Sequence, residues 1–262
     1  MSNDAKSVTD ALQLVIGFVS AHYPNAAAAL LAGSTAHGES NVNSDYDVVL
    51  LFDSLPDGAW REMVDFEGRD FEVFAHDLAT LSYFFREIEK TSGLPVLARM
   101  VAEGLPIELT SSNLVASAKE IALHTLQSGP TASDNSALEQ RRYAITDLAY
   151  ALSTPRREAR ILAIGASLYS ALADFFLLAA GHWSATGKAT PAALAVADPK
   201  IADQFTIAFS SLFKTSDDTL VQALVDAVLT PYGGRMRGGF KPLAPASWRD
   251  HPRNGELGKR SK

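Results

Sequence analysis

The stretch Ala27–Phe52, AAALLAGSTAHGESNVNSDYDVVLLF, decides the fold that we expect for the first part of the chain. It begins with the apolar run Ala27–Ala32, passes through a tight Gly-Ser turn, and ends in a second apolar run that carries two aspartates. Apolar runs that are bounded by turn residues are typical of core strands. The stretch therefore predicts two strands joined by a turn and a short irregular segment.

Asp45 and Asp47 lie two residues apart in the second predicted strand. Successive side chains of a strand alternate between its faces, so the two carboxylates point the same way. Neighbouring carboxylates repel each other, and neither stays ionised easily unless a cation lies between them. We therefore expect a hard divalent cation with oxygen ligands, Mg²⁺ before any other.

The turn before the aspartates is the second candidate feature. Gly33 tolerates backbone dihedrals and close approaches that a side chain forbids. If a helical turn begins between Ser34 and Ala36, its free backbone N–H groups form a phosphate site. A phosphate site beside a carboxylate pair predicts a protein that handles a metal–triphosphate complex.

A Gly-Ser dipeptide, ten further residues and then Asp-x-Asp in an apolar strand resembles the core motif of the DNA polymerase β-like nucleotidyltransferases. Ser44, directly before the pair, is typical of the members that act on small molecules, and we count it among the nucleotide-binding residues. The resemblance implies that Asp45 and Asp47 bind Mg²⁺, and that Gly33 and Ser34 hold the phosphates of ATP. An ordinary strand after a polar turn is the alternative.

A third predicted strand, Arg69–Ala75, supplies a third carboxylate. The resemblance implies that a carboxylate flanked by apolar residues follows the aspartate pair, and Glu72 fits that pattern. It implies that Glu72 is the catalytic base and that it contacts the metal. Asp70, two residues away on the same face, competes for this role. The other alternative is that Glu72 is a salt-bridged carboxylate with a structural role.

The composition fits a soluble globular protein, with 47% hydrophobic and 20% charged residues in a chain of 262. This length allows one large or two medium domains. Cysteine is absent, which excludes disulfides, thiolate nucleophiles and cysteine-based zinc sites. The N-terminus lacks the basic and apolar regions of a secretory signal, so we expect a cytoplasmic location, where ATP is available.

The net charge of −7 disfavours a broad nucleic-acid-binding surface, and we expect no nucleic-acid partner. The charge is unevenly distributed, because residues 235–262 contain eight Lys or Arg and two acidic residues. A basic terminal segment is typically a solvated end. The alternative is that it meets an anionic substrate or a partner surface.

The order of the predicted elements indicates an α+β fold with two domains. We expect a nucleotidyltransferase domain at 1–126, with a mixed β-sheet flanked by helices, and a polar linker at 127–135. An all-helical bundle is expected at 136–232, followed by a Gly-rich basic tail at 233–262. This order resembles the kanamycin- and streptomycin-modifying nucleotidyltransferases.

The segment Trp183–Lys188 resembles a Trp…Gly-Lys element in the helical domains of those enzymes. The resemblance implies that Lys188 reaches the triphosphate, where a point charge suits phosphate. A solvated lysine in a glycine-containing loop is the alternative.

Residues 161–180 are apolar enough to approach a membrane-spanning helix. Their small residues fit tight packing between helices equally well. We interpret the segment as the centre of the helical bundle and expect no membrane partner.

The resemblance implies an ATP- and Mg²⁺-dependent adenylyltransferase that acts on a hydroxyl group of a small molecule. Aminoglycoside-like antibiotics are the first candidates, which would imply a role in antibiotic resistance. One alternative is an antitoxin-type enzyme that nucleotidylates a protein, and another is a non-catalytic nucleotide-binding module. A homodimer is compatible with the sequence, although no residue requires one.

Overall fold

The computed structural model describes residues 8–38, 44–110, 113–153 and 158–241. It confirms the predicted α+β fold class, because a mixed sheet with flanking helices is followed by a region of helices.

The chain forms two compact units. Unit 1 consists of Met1–Ala132 and Phe176–Pro199, and unit 2 of Ser133–Phe175 and Lys200–Lys262.

Unit 1 is built around a sheet whose strands follow the order β3-β4-β2-β1-β5 in the described residues. Strand β1 is antiparallel to β2 and β5, β2 is parallel to β4, and β3 is antiparallel to β4. The strands are β1 (Ala28–Ala32), β2 (Tyr46–Leu51), β3 (Trp60–Phe66), β4 (Arg69–His76) and β5 (Leu105–Glu108).

Helices cover both faces of this sheet. A π-helical turn, Phe84–Glu89, links two of them, and a 3₁₀ turn, Gly187–Ala189, precedes the last. In chain order, the helices of this unit are α1 (Val8–His22), α2 (Gly33–Ala36), α3 (Leu78–Tyr83), α4 (Lys90–Ser92), α5 (Val96–Glu103), α6 (Leu114–Ser128) and α9 (Thr190–Ala197). Two further helices lie between α6 and α9 in the chain.

One face of the sheet packs against helix α1. Every second residue of β2 and β4 is apolar on this face, as the period of two in a strand requires. Phe71 is fully buried there and stacks on Phe18 of α1 and on Tyr46 of β2, with ring centroids 4.0 and 4.8 Å away. This aromatic cluster fixes α1 against the sheet.

The opposite face packs against α3, α5 and α6 through Leu30, Val49 and Leu51, which are buried with residues of those helices. Asp47 lies on the same face as Val49, because the two residues are two positions apart in β2. This face therefore carries both an apolar core and the first of the candidate site residues.

Helix α5 begins at a buried carboxylate. The carboxylate of Glu89, 5% exposed, accepts hydrogen bonds from the backbone N–H groups of Leu97 (2.5 Å) and Ala98 (3.0 Å). These N–H groups lie in the first turn of the helix, where they have no partner within the helix. Burial raises the pKa of Glu89 to about 7, although the backbone N–H groups oppose that shift.

Unit 2 is helical in its described residues. Gly165 of α8 (Glu158–Ala179) lies so close to α10 (Pro199–Thr215) that an added Cβ would come within 2.8 Å of the Phe213 ring. Tyr169 contacts the edge of Phe205 across the same pair of helices. The helices are α7 (Asn135–Leu152), α8 (Glu158–Ala179, whose last four residues belong to unit 1), α10 (Pro199–Thr215) and α11 (Thr219–Leu229), with a 3₁₀ turn at Thr230–Tyr232.

The segment Phe176–Pro199 belongs to unit 1, whereas the sequence placed it in a continuous helical domain. Two hydrogen bonds hold it there: Trp183 Nε1–H donates to the Leu126 carbonyl (2.9 Å), and Ser184 N–H donates to the Gly93 carbonyl (2.8 Å). These contacts join residues that are far apart in the chain, so no local pattern announces them. The unit that contains the sheet also contains Lys188.

Within the described residues, the helix Glu158–Ala179 has the length and apolarity of a membrane-spanning helix. An 18-residue stretch of it has a mean hydropathy of 1.9, and 39% of that stretch is buried. Its close packing with α10 is consistent with the interpretation as a bundle helix, and the absence of a membrane partner stays a prediction.

The tail predicted at 233–262 is described only as far as residue 241. This part is held against α7, because the Arg142 guanidinium donates to the Gly234 carbonyl at 2.8 and 3.1 Å. Arg141 forms an ion pair with Asp174. The remainder of the tail, 242–262, lies outside the described residues.

Candidate active site

Three elements of unit 1 meet at the end of β1. The strand ends at Ala32, helix α2 turns the chain away, and β2 begins beside Ala32. In the register of the sheet, Asp47 is paired with Ala32 on one side and with Glu72 of β4 on the other. Paired residues in adjacent strands share a face, so the turn, Asp47 and Glu72 are neighbours.

Asp45, Asp47 and Glu72 bring one carboxylate oxygen each to within 4.8 Å of one another. All three side chains are partly buried. Carboxylate oxygens are the donors that Mg²⁺ prefers, and three of them at this spacing fit a hard divalent cation. The structure thus brings together the three residues that the sequence singled out for metal binding, and their roles stay predictions.

The glycine of the turn is required by its surroundings. Gly33 has φ of +65°, in the left-handed region that disfavours side chains. A Cβ at this position would also overlap the carboxylate of Asp47. The backbone of the turn therefore lies directly against the acidic cluster, which is what a phosphate site beside a metal site needs.

Thr35 is a positioning residue that the sequence analysis did not identify. Its side chain is buried, and its hydroxyl donates to the backbone carbonyl of Asp45 at 3.2 Å. This bond joins helix α2 to the start of β2 across the irregular segment. A buried threonine one residue after a Gly-Ser pair is a weak signal, because threonine is common in turns.

The local electrostatics oppose ionisation of Asp47. Burial raises its pKa, and the neighbouring carboxylate of Asp45 raises it further. Lys188 and Arg61 act in the opposite direction, since their positive charges lower it. A cation bound between these carboxylates would therefore favour their ionised forms.

Glu72 has a cationic partner within the protein. Its side chain is 12% exposed, and its Oε1 forms an ion pair with Nη2 of Arg61, which is 66% exposed. The structure therefore contains the salt bridge that one interpretation of Glu72 expected, together with the carboxylate cluster that the other expected. Asp70, the competing candidate, is exposed and lies outside the cluster.

Three further residues are predicted to bind the nucleotide: Ser34, Ser44 and Lys188. Ser34 follows Gly33 in helix α2 and is partly buried, and Ser44 directly precedes Asp45. Lys188 is exposed in its 3₁₀ turn and is near enough to Asp47 to affect its pKa.

Arg61 was missed because its strand was missed. Residues Trp60–Phe66 lie mostly exposed at an edge of the sheet, and their charged side chains hide the alternation that marks a strand. The two residues after them, Glu67 and Gly68, are typical of a turn, and both have positive φ, as a type I′ hairpin turn requires. A hairpin turn before one strand implies a strand on its other side, and this was the available signal.

A scan against protein-family models and a search of curated proteins both found no match for the chain. Among solved structures, it is similar to the crystal structure of a nucleotidyltransferase-like protein from Exiguobacterium sibiricum 255-15, determined at 1.90 Å resolution. The two share 11% sequence identity with a TM-score of 0.44, and the match covers 84% of this chain and 74% of that chain. This likeness concerns the path of the backbone, and the proposals below rest on the side chains of the site.

Proposed function

We propose that the protein is a Mg²⁺-dependent nucleotidyltransferase that transfers AMP from ATP to a hydroxyl group of a small molecule. One observation supports this most: the carboxylates of Asp45, Asp47 and Glu72 each bring one oxygen to within 4.8 Å of the others, directly beside the glycine turn. The arrangement combines oxygen donors that suit a divalent cation with the backbone of a glycine turn, which a phosphate can approach closely.

The residues of the site divide into two groups in this proposal. Asp45 and Asp47 would hold Mg²⁺, which, when bound, neutralises charge on the phosphoryl oxygens. Gly33 and Ser34 would hold the phosphates that leave, through backbone N–H groups and the serine hydroxyl. Lys188 would add positive charge on the same side, consistent with its influence on Asp47.

Glu72 would act as the general base. In the reaction, the acceptor oxygen forms a bond to the α-phosphorus, the bond from that phosphorus to the bridging oxygen breaks, and pyrophosphate leaves. The proton of the acceptor hydroxyl would go to a Glu72 carboxylate oxygen. Positioning the two reactants supplies much of the rate in such transfers, since the protein contributes little covalent chemistry.

The proposed acceptor is a hydroxylated small molecule, with aminoglycoside-like compounds as the first class to test. A polycationic acceptor suits a protein with a net charge of −7 and a cluster of three carboxylates. The proposal also includes a cytoplasmic location, no nucleic-acid partner and no membrane partner. A homodimer is compatible with it.

The experiment is a measurement of pyrophosphate release from Mg·ATP with aminoglycosides, other hydroxylated antibiotics, or no acceptor. The variant Asp47→Asn tests the site. Asp65→Asn is its matched control, because Asp65 is an exposed carboxylate of β3 outside the cluster.

Release that requires one acceptor class, is lost in Asp47→Asn and is kept in Asp65→Asn would support the proposal. ATP binding without release for any acceptor would favour a protein as the acceptor. Absence of ATP binding by the folded protein would contradict the assignment of the whole Gly33–Asp47 region.

A further inference from the structure

Arg61 lies on the face of the sheet that carries the acidic cluster. In the antiparallel pair of β3 and β4, Arg61 is opposite Phe74 and Met63 is opposite Glu72. Opposite residues share a face, and so do residues two positions apart in one strand. Arg61 and Glu72 are therefore diagonal neighbours on one face, a spacing that a long side chain can bridge.

The guanidinium of Arg61 is held by two contacts. Its Nη2 pairs with Oε1 of Glu72, and its central carbon lies 5.0 Å from the centroid of the Phe74 ring. The arginine is mostly exposed and therefore lies at the surface, whereas the carboxylate that it contacts is largely buried.

The same carboxylate is one of the three that would bind a metal ion. An oxygen atom of Glu72 that is paired with a guanidinium is partly neutralised, and it is a weaker donor to a second cation. The positive charge of Arg61 also extends to Asp47, whose pKa it lowers. A divalent cation and Arg61 therefore compete for the negative charge of one cluster.

We propose that Arg61 is an internal counter-ion of the acidic cluster: it pairs with Glu72 when no metal is bound and competes with the divalent cation for that carboxylate. This inference rests on the proposed function in one respect, namely that the cluster binds a divalent cation. Arg61 is a positioning residue in this account, because it acts through Glu72.

A purely structural role for Arg61 leads to the opposite expectation. If the ion pair only held Glu72 in place, then loss of Arg61 would leave the carboxylate mobile and would weaken metal binding. If Arg61 competes, its loss strengthens metal binding. The sign of the change in metal affinity therefore separates the two roles.

The experiment is a titration of the full-length protein with Mn²⁺ in the absence of nucleotide, followed by electron paramagnetic resonance or calorimetry. Arg61→Gln removes the charge, and Arg61→Lys keeps it with a different geometry. Arg86→Gln is the matched control, since Arg86 is also mostly exposed (70%) and only loosely paired with Glu87 (4.0 Å).

We expect Arg61→Gln to bind Mn²⁺ about five- to tenfold more tightly than the wild type, a modest factor because the arginine is exposed to solvent. Arg61→Lys and Arg86→Gln should stay within about twofold of the wild type. In a Glu72→Gln background, Arg61→Gln should have little further effect, because the shared carboxylate is gone.

Unchanged or weaker Mn²⁺ binding in folded Arg61→Gln would overturn the inference and leave the metal site intact. Tighter binding that Arg61→Lys reproduces would also overturn it, since the charge would then not be the cause. If neither the folded wild type nor folded Arg61→Gln binds Mn²⁺, the proposed metal site fails and the inference fails with it.

Discussion

One face of the sheet in unit 1 packs apolar side chains against helix α1, whereas the other carries the acidic cluster beside its apolar core. Phe71 and Glu72 illustrate the contrast, because they are neighbours in β4. The Phe71 side chain is fully buried among aromatic rings, and that of Glu72 contacts Arg61 at an edge of the sheet. The period of two in a strand places them on opposite faces.

This comparison shows how one short segment can serve two purposes. The apolar residue of each pair fixes the strand in the sheet, and the adjacent polar residue is thereby held in position. Tyr46 and Asp47 repeat the arrangement in β2, where Tyr46 is buried and stacks on Phe71. We therefore expect changes on the two faces to separate stability from chemistry.

The largest effect on turnover is expected from a substitution in the acidic cluster. Asp47→Asn should lower the rate of nucleotidyl transfer by about 10³-fold or more, since it would remove one of the proposed metal donors. The free energy of unfolding should not fall, because the aspartate is partly buried and is repelled by Asp45. Turnover and denaturant unfolding, measured on the same preparation, check both parts. A variant that loses activity only through unfolding would contradict the separation.

A substitution on the opposite face should lower the stability of the fold and leave metal binding almost unchanged. Phe71→Ala should lower the free energy of unfolding by about 3–5 kcal/mol, because it leaves a cavity among the rings of Phe18 and Tyr46. The folded fraction should keep its Mn²⁺ affinity within a few-fold. Urea unfolding and Mn²⁺ titration test this, and Phe213→Ala is the control, as that ring is 41% exposed. Equal losses in the two variants would contradict the prediction.

Glu89, which lies in the helical layer over the acidic face, should make the free energy of unfolding depend on pH. Burial raises the pKa of Glu89 from 4.5 to about 7, so between these values the folded protein keeps a proton that the unfolded chain has lost. The contribution of Glu89 to the free energy of unfolding is therefore fully present below pH 4.5 and is lost as the pH rises towards 7. Glu89→Gln should remove this dependence, which amounts to up to about 3 kcal/mol.

The buried residue His76 changes the free energy of unfolding with pH in the opposite direction, so its effect must be separated from that of Glu89. Burial lowers the pKa of His76 from 6.5 to about 4, so its contribution is complete above pH 6.5 and is lost as the pH falls towards 4. The difference between Glu89→Gln and the wild type, measured from pH 4.5 to 7.5, cancels the histidine. A constant difference across that range would contradict the expected titration of Glu89.

A smaller effect on turnover is expected at the turn that follows β1. Gly33→Ala should reduce turnover by about 10²-fold, since the added Cβ overlaps the Asp47 carboxylate and displaces it. Gly68→Ala is the matched control: its φ of +69° is close to the +65° of Gly33, but beyond its chain neighbours no atom of the described residues lies within 4 Å of the added Cβ. Both variants should lose about 1 kcal/mol of stability to backbone strain. Equal turnover in the two would contradict a role for the close approach.

The parts of the site that depend on local patterns could be predicted from the sequence. The apolar runs and the glycine turn indicated β1, β2 and β4, and alternation indicated which residues share a face. The physical reason is that burial on both faces of the central strands leaves a strong apolar signal.

The parts that depend on distant contacts could not be predicted in this way. Strand β3 is mostly exposed, so its charged side chains obscure its pattern, and the partner of Glu72 was missed with it. Strand β5 has four residues, too few for a period to appear. Trp183 joins unit 1 through a hydrogen bond to Leu126, 57 residues away, which no local rule detects.

In the mechanism that we propose, the acidic cluster directs attack at the α-phosphorus of ATP. The most direct test supplies ATP labelled on either the α- or the γ-phosphate, together with Mg²⁺ and the acceptor panel, and follows the label into the acceptor. We expect the α-label to be transferred to the acceptor, the γ-label to leave in pyrophosphate, and Asp47→Asn to transfer neither. Transfer of the γ-label, or transfer of the α-label that persists in Asp47→Asn, would contradict it.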